Sequence, residues 1–404
     1  MIYLLLNHLK HFEGIKIPAV FTYYSTRMML AAITSLLISI FLGPYFIRKL
    51  YELKIGQTIR KEECPLLGEL HAKKENTPTM GGILIIFSML VSMFLWMDLQ
   101  SAFTLILLIT TVVLGVLGGI DDYLKLRFKN TKGVPGRFKL LCQLGLSGLI
   151  ALYLFVPAVS GAVQMDKWFQ PPVIKELVKD SDKEERHHVL ALHEYAARVY
   201  MPLFKEPIYL FKGFAVTLGI LFTMFIITGS SNAVNLTDGL DGLASGCLIL
   251  VAVCLAIIAF VSNNIDLADY LRIMYIEGSG EIGIYLCALA GGCLGFLWYN
   301  SHPAQVFMGD VGSLTMGGII GVSAVLLKRE FLLGIVGGIF VAEALSVILQ
   351  VGSYKFRNKK RVFLCAPLHH HFEYSGWYET KVVIRFWIIG LLLAIIGIAT
   401  LKFQ

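Results

Sequence analysis

The chain has 404 residues, 56% of them hydrophobic and only 16% charged, with a mean hydropathy of +0.70. That apolar excess excludes a water-soluble globule and points to a polytopic membrane protein. The formal charge of +7 is concentrated in a few loop segments, which makes membrane lipids, and not nucleic acid, the expected macroscopic partner.

About ten apolar runs approach the length needed to cross a bilayer. They cover residues 28–47, 80–97, 102–120, 140–157, 211–229, 243–261, 282–299, 313–327, 331–351 and 383–401. None alternates strictly between polar and apolar residues, which favours helices over a β-barrel. The expected fold is therefore all-α, a single integral membrane domain over residues 1–404. No small-residue cleavage site follows the first run, so no removable signal peptide is expected. Lys and Arg crowd residues 48–74, 125–139 and 355–361, which the positive-inside rule assigns to the cytoplasm. Ten spans then put both termini outside and make residues 157–210 an extracytoplasmic loop of mixed charge.

Residues 1–27 read as an interfacial lead-in, with Tyr23 and Tyr24 at the headgroup level. The loop after the first span carries Lys74 and ends in Pro78-Thr-Met-Gly-Gly82, where Pro78 sets an extended entry and the glycines permit close approach. The third span ends in Asp121-Asp122-Tyr-Leu-Lys125. Adjacent carboxylates there are costly unless solvated, paired or liganded, and Asp121 with Lys125 could equally be a surface ion pair. Within the outer loop, residues 180–192 read as a charged helix.

Between the fifth and sixth runs lies Asn235-Leu-Thr-Asp238-Gly-Leu-Asp241-Gly242. A helix starting near Thr237 would place Asp238 and Asp241 on one face of its first turn, where the macrodipole favours negative charge. A capped helix start accounts for the same residues about equally well. After the seventh run come Phe307 and Asp310, the latter bracketed by Gly309 and Gly312 at a helix start. The loop after the ninth run carries His369, His370 and His371, of which at most two can reach one ligand. Seven cysteines form neither a disulfide framework nor zinc spacing and read as apolar fillers.

Counting spans brings Lys74, Asp121, Asp122, Asp238, Asp241, Asp310 and His369 to His371 to the same cytoplasmic side. Carboxylates from three segments with Lys and His nearby suit Mg²⁺ and phosphates. They exceed what one ion needs, which suggests a proton acceptor and groups for sugar or base hydroxyls. No Walker A or G-x-G-x-x-G loop accompanies them.

In order along the chain, Pro78-Thr-Met-Gly-Gly82, Asp121-Asp122-Tyr-Leu-Lys125, Asn235-Leu-Thr-Asp238-Gly-Leu-Asp241-Gly, Phe307-Met-Gly-Asp310-Val-Gly-Ser and Pro367-Leu-His-His-His-Phe-Glu373 resemble the phospho-N-acetylmuramoyl-pentapeptide transferase family. The resemblance runs from about the first span to the last and leaves out residues 1–20 and the 157–210 loop. It implies transfer of phospho-MurNAc-pentapeptide from UDP-MurNAc-pentapeptide to undecaprenyl phosphate, giving lipid I and UMP at the inner leaflet of the cytoplasmic membrane. By the same resemblance Asp310 is the Mg²⁺ ligand, Asp121 the base that keeps the lipid phosphate deprotonated, and Asp122 its support. Asn235, Asp238 and Asp241 would hold the nucleotide end with Lys74, Thr79, Gln350 and Phe307, whose ring would stack on uracil. Lys125 joins them as a substrate-binding cation, His369 and His370 would contact phosphate or sugar, and His371 would be structural.

Two rivals remain at this stage. A transferase of GlcNAc-1-phosphate onto a polyprenyl phosphate would share the metal chemistry. A cation-coupled transporter would also place carboxylates in its spans, but near the midplane. The choice between monomer and homodimer is left open.

Overall fold

The computed structural model describes residues 19–53, 77–128, 133–179 and 185–402. Fifteen described α-helices follow one another: α1 (Tyr24–Glu52), α2 (Gly82–Trp96), α3 (Ala102–Arg127), α4 (Gly136–Phe155), α5 (Pro157–Val163), α6 (Leu192–Ala196), α7 (Val216–Thr237), α8 (Leu243–Ser262), α9 (Ile265–Leu271), α10 (Gly280–Asn300), α11 (Gly309–Leu326), α12 (Glu330–Val336), α13 (Gly338–Phe356), α14 (Leu368–Tyr374) and α15 (Glu379–Lys402). Nine of the described helices are long and apolar enough to cross a membrane, and α2, at 15 residues, is a shorter apolar tenth. The protein is an all-α polytopic membrane protein. The apolar run at 331–351 is not one helix: it breaks at Gly337, which ends α12 and precedes α13. Glycines at 334, 337 and 338 weaken the helix there.

α8, α10 and α11 form the centre, and α11 is buried along nearly its whole length. Small residues allow this. Gly291 of α10 lies against the backbone of Ala32 in α1, and Gly317 of α11 lies against Ser230 and Ser231 of α7. In a bilayer, where hydrophobic drive between helices is weak, such close packing is a main source of association. The outer helices turn apolar side chains outward, among them Phe41, Phe225 and Ile348. One buried ion pair ties the centre to α1: Arg27 Nη2 lies 2.5 Å from Glu281 Oε1 of α10.

The spanning helices alternate in direction. α3, α7, α10 and α13 end where α4, α8, α11 and α15 begin, and that shared end carries Asp121, Asp238, Asp241 and Asp310. At the opposite end β1 (Ile174–Lys179) pairs antiparallel with β2 (Glu185–Leu190) and with β5 (Tyr275–Ile276), while β3 (Arg198–Val199) pairs with β4 (Tyr209–Leu210). The helix expected over 180–192 is thus replaced by a hairpin strand over the described 185–190. Ile174 faces Leu190 on one side and Ile276 on the other in register, and all three are buried. Packing onto the bundle end selects the strand over local helix tendency. Residues 1–18, with most of the expected interfacial lead-in, lie outside the described residues.

Candidate active site

Asp121 and Asp122 stand near the end of α3 and are almost fully buried. Helix α11 begins directly against them, because Gly118 has no Cβ to collide with the Asp310 carbonyl. Lys125 Nζ lies 2.6 Å from Asp121 Oδ2 and 3.0 Å from Asp310 Oδ2. Lys139, one turn into α4, completes the bridge at 2.8 Å from Asp121 Oδ2 and 2.7 Å from Asp310 Oδ2. Val134 N donates to Asp121 Oδ1 at 2.7 Å. The other oxygen of Asp310, Oδ1, accepts from Asn235 Nδ2 at 3.0 Å, and the same amide donates to Ser313 Oγ at 2.9 Å.

Asp122 does something different. Its Oδ1 accepts from Asp310 N at 3.2 Å and its Oδ2 from Val311 N at 3.0 Å. A carboxylate from α3 thereby caps the first turn of α11, satisfying amides that the helix leaves free. Asp122 aims the segment that carries Asp310.

The turn between α7 and α8 holds the other two carboxylates. The expected helix start near Thr237 is overturned: α7 ends at Thr237, Asp238 is its C-cap, and α8 begins at Leu243 after Gly242 with φ +78°. Asp238 and Asp241 therefore do not share a helical face. Asp238 sits where the helix dipole disfavours negative charge. Burial, then the charges of Asp310 and Asp122, push its carboxyl up to about 8, against a hydrogen bond from the Gly309 backbone. Asp241 Oδ2 accepts from Ala304 N at 3.1 Å and lies 3.1 Å from His302 Nδ1. Glu379, at the start of α15, accepts from Asp241 N at 2.8 Å, and Gly242 N donates to Asn300 Oδ1 at 3.1 Å.

Of the remaining expected residues, Phe307 is half-buried in a segment whose N–H donates to Pro78 O and whose carbonyl accepts from Gly81 N, both at 2.8 Å. Thr79 borders Gly309 on the same seam. His369 is buried, 3.2 Å from Glu343 Oε2 through Nδ1, and among the described residues its Nε2 has no hydrogen-bond partner. That Nε2 abuts Gly239, where a side chain would collide with it. His370 Nδ1 lies 2.7 Å from Glu373, while His371 Nδ1 accepts from Leu364 N, a structural contact. Gln350 is engaged by loop backbone at Val362 and Phe363. Lys74 lies outside the described residues. Reading the sequence missed Lys139, His302 and Glu379; for Lys139 the signal was its place closing the basic 125–139 segment.

Carboxylate oxygens of Asp121, Asp122 and Asp310 lie within 4.8 Å of one another. All are hard oxygen donors of the kind Mg²⁺ takes, with lysines beside them suited to phosphate. Asp121 Oδ2 is buried and faces the ammonium groups of both Lys125 and Lys139, so a cation there would share it with them. The donor set fits a divalent cation.

The profile described as "Glycosyl transferase family 4" matches residues 104–328, and one described as "Phospho-N-acetylmuramoyl-pentapeptide-transferase signature 1" matches residues 74–86. A curated phospho-N-acetylmuramoyl-pentapeptide-transferase from Protochlamydia amoebophila is 67% identical over 410 aligned positions, covering 100% of both chains. Those from Brachyspira hyodysenteriae and Thermodesulfovibrio yellowstonii are each 45% identical, covering 95% of both chains. The first alignment extends the likeness through the 157–210 segment and the ends, beyond what the motifs alone had suggested. From its matched profiles and full-length relatives, the chain belongs to the phospho-N-acetylmuramoyl-pentapeptide-transferase family of phospho-sugar transferases.

Proposed function

We propose that the protein transfers phospho-MurNAc-pentapeptide from UDP-MurNAc-pentapeptide to undecaprenyl phosphate, giving lipid I and UMP, at the inner leaflet of the cytoplasmic membrane. The observation that carries this reading is the cluster in which Asp121 and Asp310, from different helices, share Lys125 and Lys139 at one end of the bundle. A soluble phosphosugar donor and a membrane-bound phosphate acceptor must meet at such a boundary. The lysine-rich loops of that end support a cytoplasmic placement.

Mg²⁺ held by Asp310, with Asp121 beside it, would supply charge neutralisation for the reacting phosphates. Asp121 holds the acceptor phosphate in its deprotonated form, and Lys125 and Lys139 draw phosphate oxygens to the same spot. Asn235 orients Asp310 through its amide, a role nearer the metal than the nucleotide. Asp122 fixes the approach of α11. Asp238 and Asp241 hold the nucleotide end, with Thr79 at its border and the Phe307 ring stacked on uracil, and Lys74 serves as a further substrate-binding cation. His369 offers its unpartnered Nε2 to sugar or phosphate, with His370 next to it. Gln350 supports the site indirectly by holding the loop that leads to α14.

The test is UMP release by the purified protein with undecaprenyl phosphate and no ion gradient. Release from UDP-MurNAc-pentapeptide that stops on chelation and returns with Mg²⁺ is the expected result. Release from UDP-GlcNAc instead would assign the sister activity, and no release from either would remove the transferase reading of the site.

A further inference from the structure

At the end of the bundle opposite the aspartates lies a cavity of about 580 Å³. The length of α11, 18 residues, separates it from Asp310 by about 27 Å. Its floor includes Tyr195, Tyr200, Met274, Lys328 and Arg329, and Arg272 stands at its edge. Arg329 is 8% exposed, and among the described residues its guanidinium makes no hydrogen bond or ion pair; its Nε is buried without a partner. Its neighbour Glu330 brings one negative charge for two cations: Oε1 is taken by Lys328 at 2.7 Å, and among the described residues Oε2 makes no hydrogen bond to the Arg329 guanidinium. Lys328 also donates to Ala196 O at 3.1 Å. Across the cavity Glu176 is likewise taken, by Arg198 at 2.5 Å.

A buried arginine that shares one carboxylate with a lysine and makes no hydrogen-bonded ion pair of its own is expensive, and the cost is lowered when an anion completes it. The remaining lining charges reinforce the need: Lys205 and Arg272 are exposed at the mouth against a single exposed carboxylate, Glu206. Tyr200, half in contact with Arg198 and otherwise turned to Met274, leaves the floor amphipathic. Ile273, Met274, Ile276 and Leu327 supply an apolar wall. The cavity opens where α8 and α11 finish, and Phe204, Tyr209 and Tyr270, near the lining residues in sequence, are exposed there. Exposed aromatics at helix ends mark the headgroup level of a bilayer.

We infer that this cavity binds a phosphate group, with Arg329 as its buried fork and Arg272 and Lys205 as the cations at its mouth. Planar, bidentate recognition of phosphate is the task for which arginine is suited, and the apolar wall leaves room for the glycerol side of a phospholipid headgroup.

The experiment uses the full-length protein in a neutral detergent. Native mass spectrometry follows binding of phosphatidylglycerol and of phosphatidylcholine to wild type, Arg329→Gln, Arg272→Gln and, as a surface control at the other end, Lys355→Gln. A parallel thermal-melt series adds inorganic phosphate at constant ionic strength. Phosphatidylglycerol should bind wild type and Lys355→Gln at least ten-fold more tightly than Arg329→Gln, with Arg272→Gln several-fold weakened. Protection by inorganic phosphate, lost in Arg329→Gln and without lipid preference, would keep the phosphate site and assign its source to the free ion. Should Arg329→Gln fail to fold, Arg272→Gln with Lys205→Gln decides. Equal binding of lipid and of phosphate by wild type and every folded cavity variant would overturn the inference.

Discussion

Lys125 and Lys139 each reach both Asp121 and Asp310, so no single residue of this group acts alone. The proposed roles still separate on substitution. Asp310→Asn removes the metal ligand and should lower kcat by at least about 10²-fold, the equivalent of about 3 kcal/mol, in a protein that still folds. Near-normal turnover in a folded Asp310→Asn protein would refute the assignment. Asp121→Asn should cut kcat by about 10²–10⁴-fold while affinity for the nucleotide sugar stays within a few-fold. Asp238→Asn should do the reverse and weaken nucleotide-sugar binding. Calorimetry on both variants beside steady-state kinetics separates them, and exchanged phenotypes would reverse the roles.

At the scale of elements, the contact between α3 and α11 sets the site. Asp122 uses its two oxygens on two different amides, Asp310 N and Val311 N. Asn at this position has one acceptor and one donor, so one amide would face an N–H group. Asp122→Asn is therefore expected to lower thermal stability by about 1 kcal/mol, the worth of a helix cap, and to raise the Mg²⁺ concentration giving half-maximal rate. An unchanged Mg²⁺ dependence would show that the cap does not aim Asp310. A second element contact, Arg27 of α1 with Glu281 of α10, is buried on both sides. Glu281 also accepts from Asp98 N at 2.9 Å. Arg27→Leu should destabilise by about 3–5 kcal/mol, and adding Glu281→Leu should restore most of the loss, because the cost lies in the abandoned charge. Thermal melts of the single and double variants check this; a double variant no better than the single one would contradict it.

For the whole molecule, alternating spans place the aspartate end and the hairpin end on opposite sides of the membrane. Cysteines replacing Lys205 and Lys359, both exposed, should be labelled by an impermeant thiol reagent from outside and only after permeabilisation, respectively. Labelling of Lys205→Cys from the cytoplasmic side alone would invert the proposed orientation and remove the nucleotide from its site. The six described native cysteines are buried or half-buried, and Cys64, outside the described residues, is replaced by Ser in both variants to keep the background low.

Spans, all-α class and the polar ends of helices were legible because they are written in local composition. An apolar run of spanning length must satisfy its own backbone in lipid, so its helical state follows without tertiary information. Asp121 and Asp310 stood out for the same reason, as charges at the ends of such runs. The direction of Asp238 did not: whether a polar turn ends one helix or begins the next depends on how α7 and α8 pack, and the structure ended α7 at Thr237. The strand at 185–190 depended on Ile174 and Ile276, the latter over 80 residues distant, and only burial against them decided it. Lys139 showed only as the end of a basic segment, and His302, Glu379 and the capping role of Asp122 did not show at all, because their partners lie 18, 61, 138 and 188 residues away in the chain. Local patterning determined which segments cross the membrane and which charges are costly there; the close approach of helices through glycines decided which of those charges meet.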